Sequence, residues 1–373
     1  MAELHLFVLW PAALRAADRI YADLERRFEL VDSVLLHWPP ERFEENLMRL
    51  YGTTLPKRGQ KVDEAGDLPF HVLVVRDTEP VYAPRPRSFG RGPANAATYD
   101  AKLRYRAWAG GAGYAVHATI DRREAERDLL LLLGRSPDDY ADAPALPWER
   151  TPRRESHDEV LGADGWGSWT QLFDALRACL RFVVLQRHES DEEAILTLLV
   201  DDRDRAATLA AGAASLRRDR PVECRVAGRL VRIHLRELGD GTLDPAWQRA
   251  LLHHPVRHGD GALVPPPSDA PYIGLYEAVV HTPPDGPAAT ALAAAPEPGL
   301  PPGDYRDPAF ARAVLDEFLF LSGYDYVTPP QGLWRNPLLF SRPERFRRGA
   351  RRRAPRTARI VGAALLRLTR SRA

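Results

Sequence analysis

Two cysteines, Cys179 and Cys224, are all that 373 residues contain. They lie far apart in apolar contexts. That argues against a disulfide framework or a cysteine-based zinc site and fits a reducing, cytoplasmic compartment. Net charge is nearly absent as well. With 52 basic against 51 acidic residues the formal charge is +1, so no global field draws the chain to nucleic acid, and none is expected as a partner. No apolar run reaches the ~18 residues that a membrane-spanning helix needs. The opening residues, Met1–Trp10, carry no basic segment ahead of their short apolar run. They read as a strand rather than a secretory signal.

What is present is enough apolar surface for two cores. The chain is 45% hydrophobic and too long for one ordinary core, so two domains are expected. Its 33 prolines mark connecting segments. Periodicity predicts strands at Leu4–Trp10, Leu30–His37, Phe70–Arg76 and Tyr114–Ala118. It predicts helices at Ala13–Phe28, Glu41–Tyr51, Asn95–Trp108 and Arg122–Leu133. This order implies an α+β fold with an antiparallel sheet covered by helices. Residues 141–160, rich in Pro, Asp and Arg, read as a linker between a first domain at 1–140 and a second at 161–340. In the second domain, helices are expected at Trp169–Leu180, Arg203–Ala214, Pro245–Leu252, Tyr272–Val280 and Pro308–Leu321. Strands are expected at Arg181–Leu185 and Glu193–Asp201, with a hairpin across Gly228 and a loop over 283–303.

The last segment, 341–373, has twelve arginines and one acidic residue, Glu344. Ile360, Val361, Ala364, Leu365 and Leu368 fall on one face of a helix there, a pattern suited to an anionic membrane surface. A solvated basic tail, or one that docks on an acidic partner, is the alternative.

One stretch carries the best candidate for chemistry: Tyr114-Ala-Val-His117-Ala-Thr119-Ile-Asp121, followed by Glu124-Ala-Glu126-Arg-Asp128. A histidine ends an apolar strand, and an acidic helix follows. A histidine so held can accept a proton or a phosphoryl group. Gly110-Gly-Ala-Gly113, just before it, could offer backbone N–H groups to phosphate, although it precedes a strand rather than a helix. His253, His254, His258 and Asp260 lie in a Pro/Gly-rich loop and read as a solvated cluster, so no metal site is assigned.

Over residues 3–135 the chain resembles the nucleoside diphosphate kinase family. Phe7-Val-Leu-Trp10-Pro11 is similar to that family's first strand, and Arg26-Arg27-Phe28-Glu29-Leu30-Val31 to its second. Tyr51 matches its tyrosine element, His117-Ala-Thr119 its His-Gly-Ser, and Glu124–Asp128 its acidic helix. The resemblance implies a ferredoxin-like antiparallel sheet. It implies His117 as nucleophile or base, Asp128 as the carboxylate orienting it, and Thr119 as a hydrogen-bond partner. It also implies Tyr51, Arg87 and Arg104 as phosphate-binding residues. The chain departs from the family where Trp10 replaces a lysine, Ala12-Ala13 an Asp-Gly, and Tyr114 an asparagine.

Residues 170–282 resemble nucleotidyltransferase-like proteins of bacterial surface-polysaccharide clusters. The likeness rests on Phe182–Glu189, Ile195–Asp202, Arg232–Gly241, Asp244–Gln248 and Tyr276–His281. Active members place two carboxylates two residues apart on a strand, with a third nearby, to hold Mg²⁺. Those positions read Ile195, Thr197 and His234, so a degenerate domain is expected. Together the two resemblances imply transfer of a phosphoryl or phospho-sugar group in surface-polysaccharide synthesis. The donor would be a nucleotide or nucleotide-sugar, with an Mg²⁺-nucleotide as the fitting cofactor, and the site cytoplasmic and peripheral to the inner membrane. The rival expectation is a non-catalytic nucleotide-binding scaffold.

Overall fold

The structure is a computed structural model. It describes residues 2–51, 68–87, 90–111, 113–148, 152–154, 159–190, 193–211, 220–283, 285–329, 334, 336, 337, 339 and 340. The basic segment 341–373 lies outside the described residues. The fold is mixed α+β with antiparallel sheets. It divides into two compact units, Met1–Leu180 with Asp204–Arg232, and Arg181–Arg203 with Ile233–Ala373. Within 141–160, the segment whose composition marks it as a linker, Leu146 N donates to Leu30 O, and Arg153–Arg154 pairs alongside a strand of the first unit.

The first unit is built on a five-stranded sheet. Its strands are β1 (Glu3–Leu9), β2 (Glu29–Leu36), β3 (Phe70–Asp77), β6 (Val116–Ala118) and the short β7 (Arg153–Arg154). Their order is β6-β1-β3-β2-β7. β1 runs antiparallel to both neighbours, with Phe7 opposite Leu73 and Val8 opposite His117. β2 runs antiparallel to β3. Leu6 to Leu9 are all fully buried, which is why β1 reads as a continuous apolar run rather than an alternating one. Phe7 and Leu9 pack with Ile20 and Leu24 of helix α1 (Ala17–Glu25) and with Tyr105 of α3 (Ala96–Trp108). Helix α4 (Arg122–Leu133) packs against β1 too. Helix α2 (Pro40–Tyr51) brings Phe43 against Trp10 and Trp38, which also pack on Phe70, in an aromatic cluster.

Three elements differ from the sequence reading. The helix expected from Ala13 begins as a tight 3₁₀ turn, Pro11–Ala16, and becomes α-helical only at Ala17. A hairpin of β4 (Tyr82–Arg87) with β5 (Gly90–Asn95) occupies a stretch whose prolines and glycines hide any strand pattern. In the second unit a helix, Pro287–Ala294, stands inside the expected loop, with proline at its first turn where the missing N–H costs nothing.

The second unit pairs strand Phe182–Glu189 with Glu193–Val200, Val183 opposite Leu199. The end of strand Arg229–Glu237 lies beside the latter. Its core centres on Trp247 of helix Pro245–His253, stacked 5.6 Å from Tyr324 and edge-on to Tyr276. The Trp247 indole donates to Asp269 at 2.7 Å, so its one polar group is satisfied in the core.

Candidate functional site

β6 decides where His117 points. Alternate strand residues face opposite sides of a sheet. Val116 and Ala118 belong to the apolar cluster with Ile20 and Tyr105, so His117 faces the other way, toward α4. That helix is fixed at both ends. Asp121 accepts from Glu124 N at its start, Glu124 reaches back to accept from Ile120 N, and Gly134 closes it in the left-handed region at φ 62°. Asp128 sits about two turns in and meets the ring. His117 Nε2 donates to Asp128 Oδ2 at 2.7 Å.

The charge states follow. Burial pushes the His117 imidazole below its usual range, against the pull of Asp128, so the ring is neutral near pH 7. Burial alone would raise the Asp128 carboxyl, but Arg127 and His117 hold it below its usual value and it is ionised. Arg127 Nε donates to Asp128 Oδ1 at 2.6 Å. A carboxylate only accepts, so Nε2 carries the proton and Nδ1 keeps its lone pair. Nδ1 has no hydrogen bond among the described residues. Tyr51 stands edge-on to the ring, centroids 5.1 Å apart. The ring is only 5% exposed.

The positive charge near His117 comes from residues the sequence reading missed. Lys102 and Arg106 of α3 lie one turn apart and reach the outer edge of β6. Lys102 Nζ donates to Ala118 O at 2.9 Å, and Arg106 Nε to Val116 O at 2.8 Å. Burial pushes both below their ordinary values, and Lys102 acts electrostatically on His117. The signal that could have found them is their four-residue spacing on the helix preceding the histidine strand.

The remaining expected residues stand elsewhere. Arg104 is turned away and pairs with Asp23 at 2.7 Å, beside Arg27 and Tyr105. It therefore belongs to a half-buried ion-pair cluster around Asp23. Thr119 Oγ1 accepts from Leu6 N at 2.9 Å and faces His5 Nδ1 at 3.3 Å, so it ties β1 to the end of β6 rather than bonding His117. The side chain of Arg87 lies outside the described residues. Trp10, standing where the kinase family has a lysine, is 1% exposed inside the aromatic cluster. Its position in the core is apolar, with no room for a hydrated ammonium.

In the second unit, Ile195, Thr197 and His234 line one cleft together with Arg236, Glu277 and His281. None of Ile195, Thr197 and His234 carries a carboxylate, the usual protein ligand for Mg²⁺. His258 and Asp260 contact each other, while Asp260 is also held by Arg187 and His253 by Arg181. Among the described residues no group of three or more metal-binding side chains converges. Nor is any described helix long and apolar enough to cross a membrane. No protein-family model matches the chain, and no curated protein matches it.

Proposed function

We propose that the first unit is a ferredoxin-like, nucleoside-diphosphate-kinase-like domain that handles the phosphoryl group of a nucleotide at His117. The single observation that carries this reading is the 2.7 Å bond from His117 Nε2 to a fully buried, ionised Asp128. It leaves Nδ1 as the one nucleophilic atom of a neutral ring. The sheet order β6-β1-β3-β2, with helices between β1 and β2 and between β3 and β6, supports the fold part of the reading.

In the transfer step, the Nδ1 lone pair attacks the γ-phosphorus and the bond to the bridging oxygen breaks. The nucleoside diphosphate leaves with that electron pair. Asp128 stabilises the positive charge that develops on the ring, and Lys102 and Arg106 neutralise the phosphate oxygens. Glu124 and Asp128 are both occupied by protein donors. Magnesium would therefore arrive on the nucleotide's own phosphates. The phospho-sugar variant of the reaction, its surface-polysaccharide setting, and a peripheral membrane location through the basic tail rest on the sequence resemblances.

Incubation with γ-labelled ATP or GTP tests this. Acid-labile, base-stable label that disappears in His117→Ala supports phosphoryl transfer. Two observations favour the rival, a non-catalytic nucleotide-binding scaffold with a degenerate nucleotidyltransferase-like second unit: the near-complete burial of His117 and the apolar setting of Trp10. Nucleotide binding without label would establish that reading instead.

A further inference from the structure

The cleft of the second unit has a volume of about 280 Å³, at the small end of ligand sites. Three features of it point to a ligand. The first is Arg236. Among the described residues its guanidinium has no carboxylate or carbonyl partner, although Glu277 lines the same cleft. The second is Glu277, whose Oε2 accepts from Gln186 Nε2. One oxygen is thus fixed, and the carboxylate's remaining acceptor capacity is left for another donor.

The third is His281. Its Nε2 donates to Thr242 O at 2.7 Å, which makes Nδ1 an acceptor, and Nδ1 is buried with no hydrogen-bond partner among the described residues. An orphaned buried acceptor carries an uncompensated desolvation cost unless something satisfies it. Burial keeps the ring below its usual range, so it does not escape that cost by protonation. Glu277 and His281 are the two ends of a π-helical turn, Glu277–His281. Such turns are uncommon and concentrate at functional sites.

Among the described residues the site therefore offers one unpaired cation, one half-used carboxylate and one unfilled acceptor, with apolar walls that include Ile195 and Ile273. We infer that this cleft binds a small zwitterion, a free amino acid with an aliphatic side chain. Its carboxylate pairs with Arg236, its ammonium lies between Glu277 and His281 Nδ1, and its side chain lies on the apolar wall. A free phosphate would satisfy Arg236 and be repelled by Glu277. A neutral sugar would leave Arg236 unpaired. The inference is independent of any chemistry at His117.

Titration of the full chain with L-leucine, followed by calorimetry or ligand-observed NMR, tests it. L-leucine binds with a Kd on the order of 1 mM or tighter. Leucinamide, which lacks the carboxylate, and 2-hydroxyisocaproate, which lacks the ammonium, each bind at least about tenfold more weakly, because each leaves one charge of the site unpaired. Arg236→Gln and Glu277→Gln cause the same losses at an unchanged thermal midpoint, and His117→Ala leaves leucine binding as it was. The analogue comparison needs no variant and so does not depend on their folding. Absence of saturable leucine binding up to about 10 mM, equal binding of all three compounds, or tighter binding of glucose 1-phosphate than of leucine would each overturn the inference.

Discussion

Asp128 has no solvent exposure, and it holds His117 on one oxygen and Arg127 on the other. The carboxylate is the common partner of an imidazole and a guanidinium inside the fold. Buried ion pairs of this kind contribute little net stability when intact, yet removing one member strands the other.

Asp128→Asn keeps the shape and removes the charge. Among the described residues Arg127 is then left with Glu124, 3.6 Å away, as its ion-pair partner. The free energy of unfolding falls by about 3–5 kcal/mol, read as a lower urea midpoint. An unchanged midpoint would mean that the pair is not the structural centre of this region.

Helix phase separates Arg104 from His117 and from the proposed phosphoryl site. Successive residues turn by about 100°, so Arg104 lies roughly 200° from Lys102 and from Arg106. Lys102→Met and Arg106→Met should each lower phosphohistidine formation by about tenfold or more, while Arg104→Ala should leave it within about twofold. Initial rates of label incorporation check this. Equal losses for all three would put Arg104 back at the phosphate.

Acid should weaken the fold through its histidines. Burial holds His5, His71, His117 and His281 below the usual histidine range. The unfolded chain, with values near ~6.5, therefore takes up protons first as pH drops. The stability contributed by the neutral rings is complete above about pH 6.5 and is lost progressively below it. The urea midpoint should be lower at pH 5.5 than at pH 7.5, and His117→Gln should reduce the difference.

Two glycines with positive φ should respond unequally to alanine. A Cβ on Gly134, φ +62°, meets open space, whereas one on Gly162, φ +85°, would lie 2.5 Å from the Trp166 ring. Gly134→Ala should cost only the backbone strain of about 1–2 kcal/mol. Gly162→Ala should add overpacking of about 1–3 kcal/mol. Thermal midpoints of the two variants decide the point.

The sequence made the frame legible wherever one rule governed the chain. The helix at Arg122–Leu133 announces itself through Asp121 at its start and Gly134 at its end, and the continuous apolar run of Leu6–Leu9 marks a central strand. His117, Asp128 and Tyr51 meet because strand alternation and the acidic helix spacing are local properties. What escaped depended on longer-range facts. Arg104 and Lys102 are equally plausible cations until the rotation of α3 over β6 is known. The prolines of Tyr82–Arg87 disguise a two-stranded ribbon that needs no buried face. Nothing in the local sequence around Trp166 shows that it packs against Gly162 and donates to Ala210 O.

β6 spans three residues and, among the described residues, has a sheet neighbour on one side only. Its far edge is clasped by two long, flexible side chains rather than by another strand. Peeling such a segment away breaks few backbone bonds, so it opens far more often than the chain as a whole denatures. An imidazole that is shut away at rest thus has a low-energy route to solvent, and its reactivity would be set by how frequently that margin breathes. Amide exchange at Val116, His117 and Ala118 would report that frequency directly.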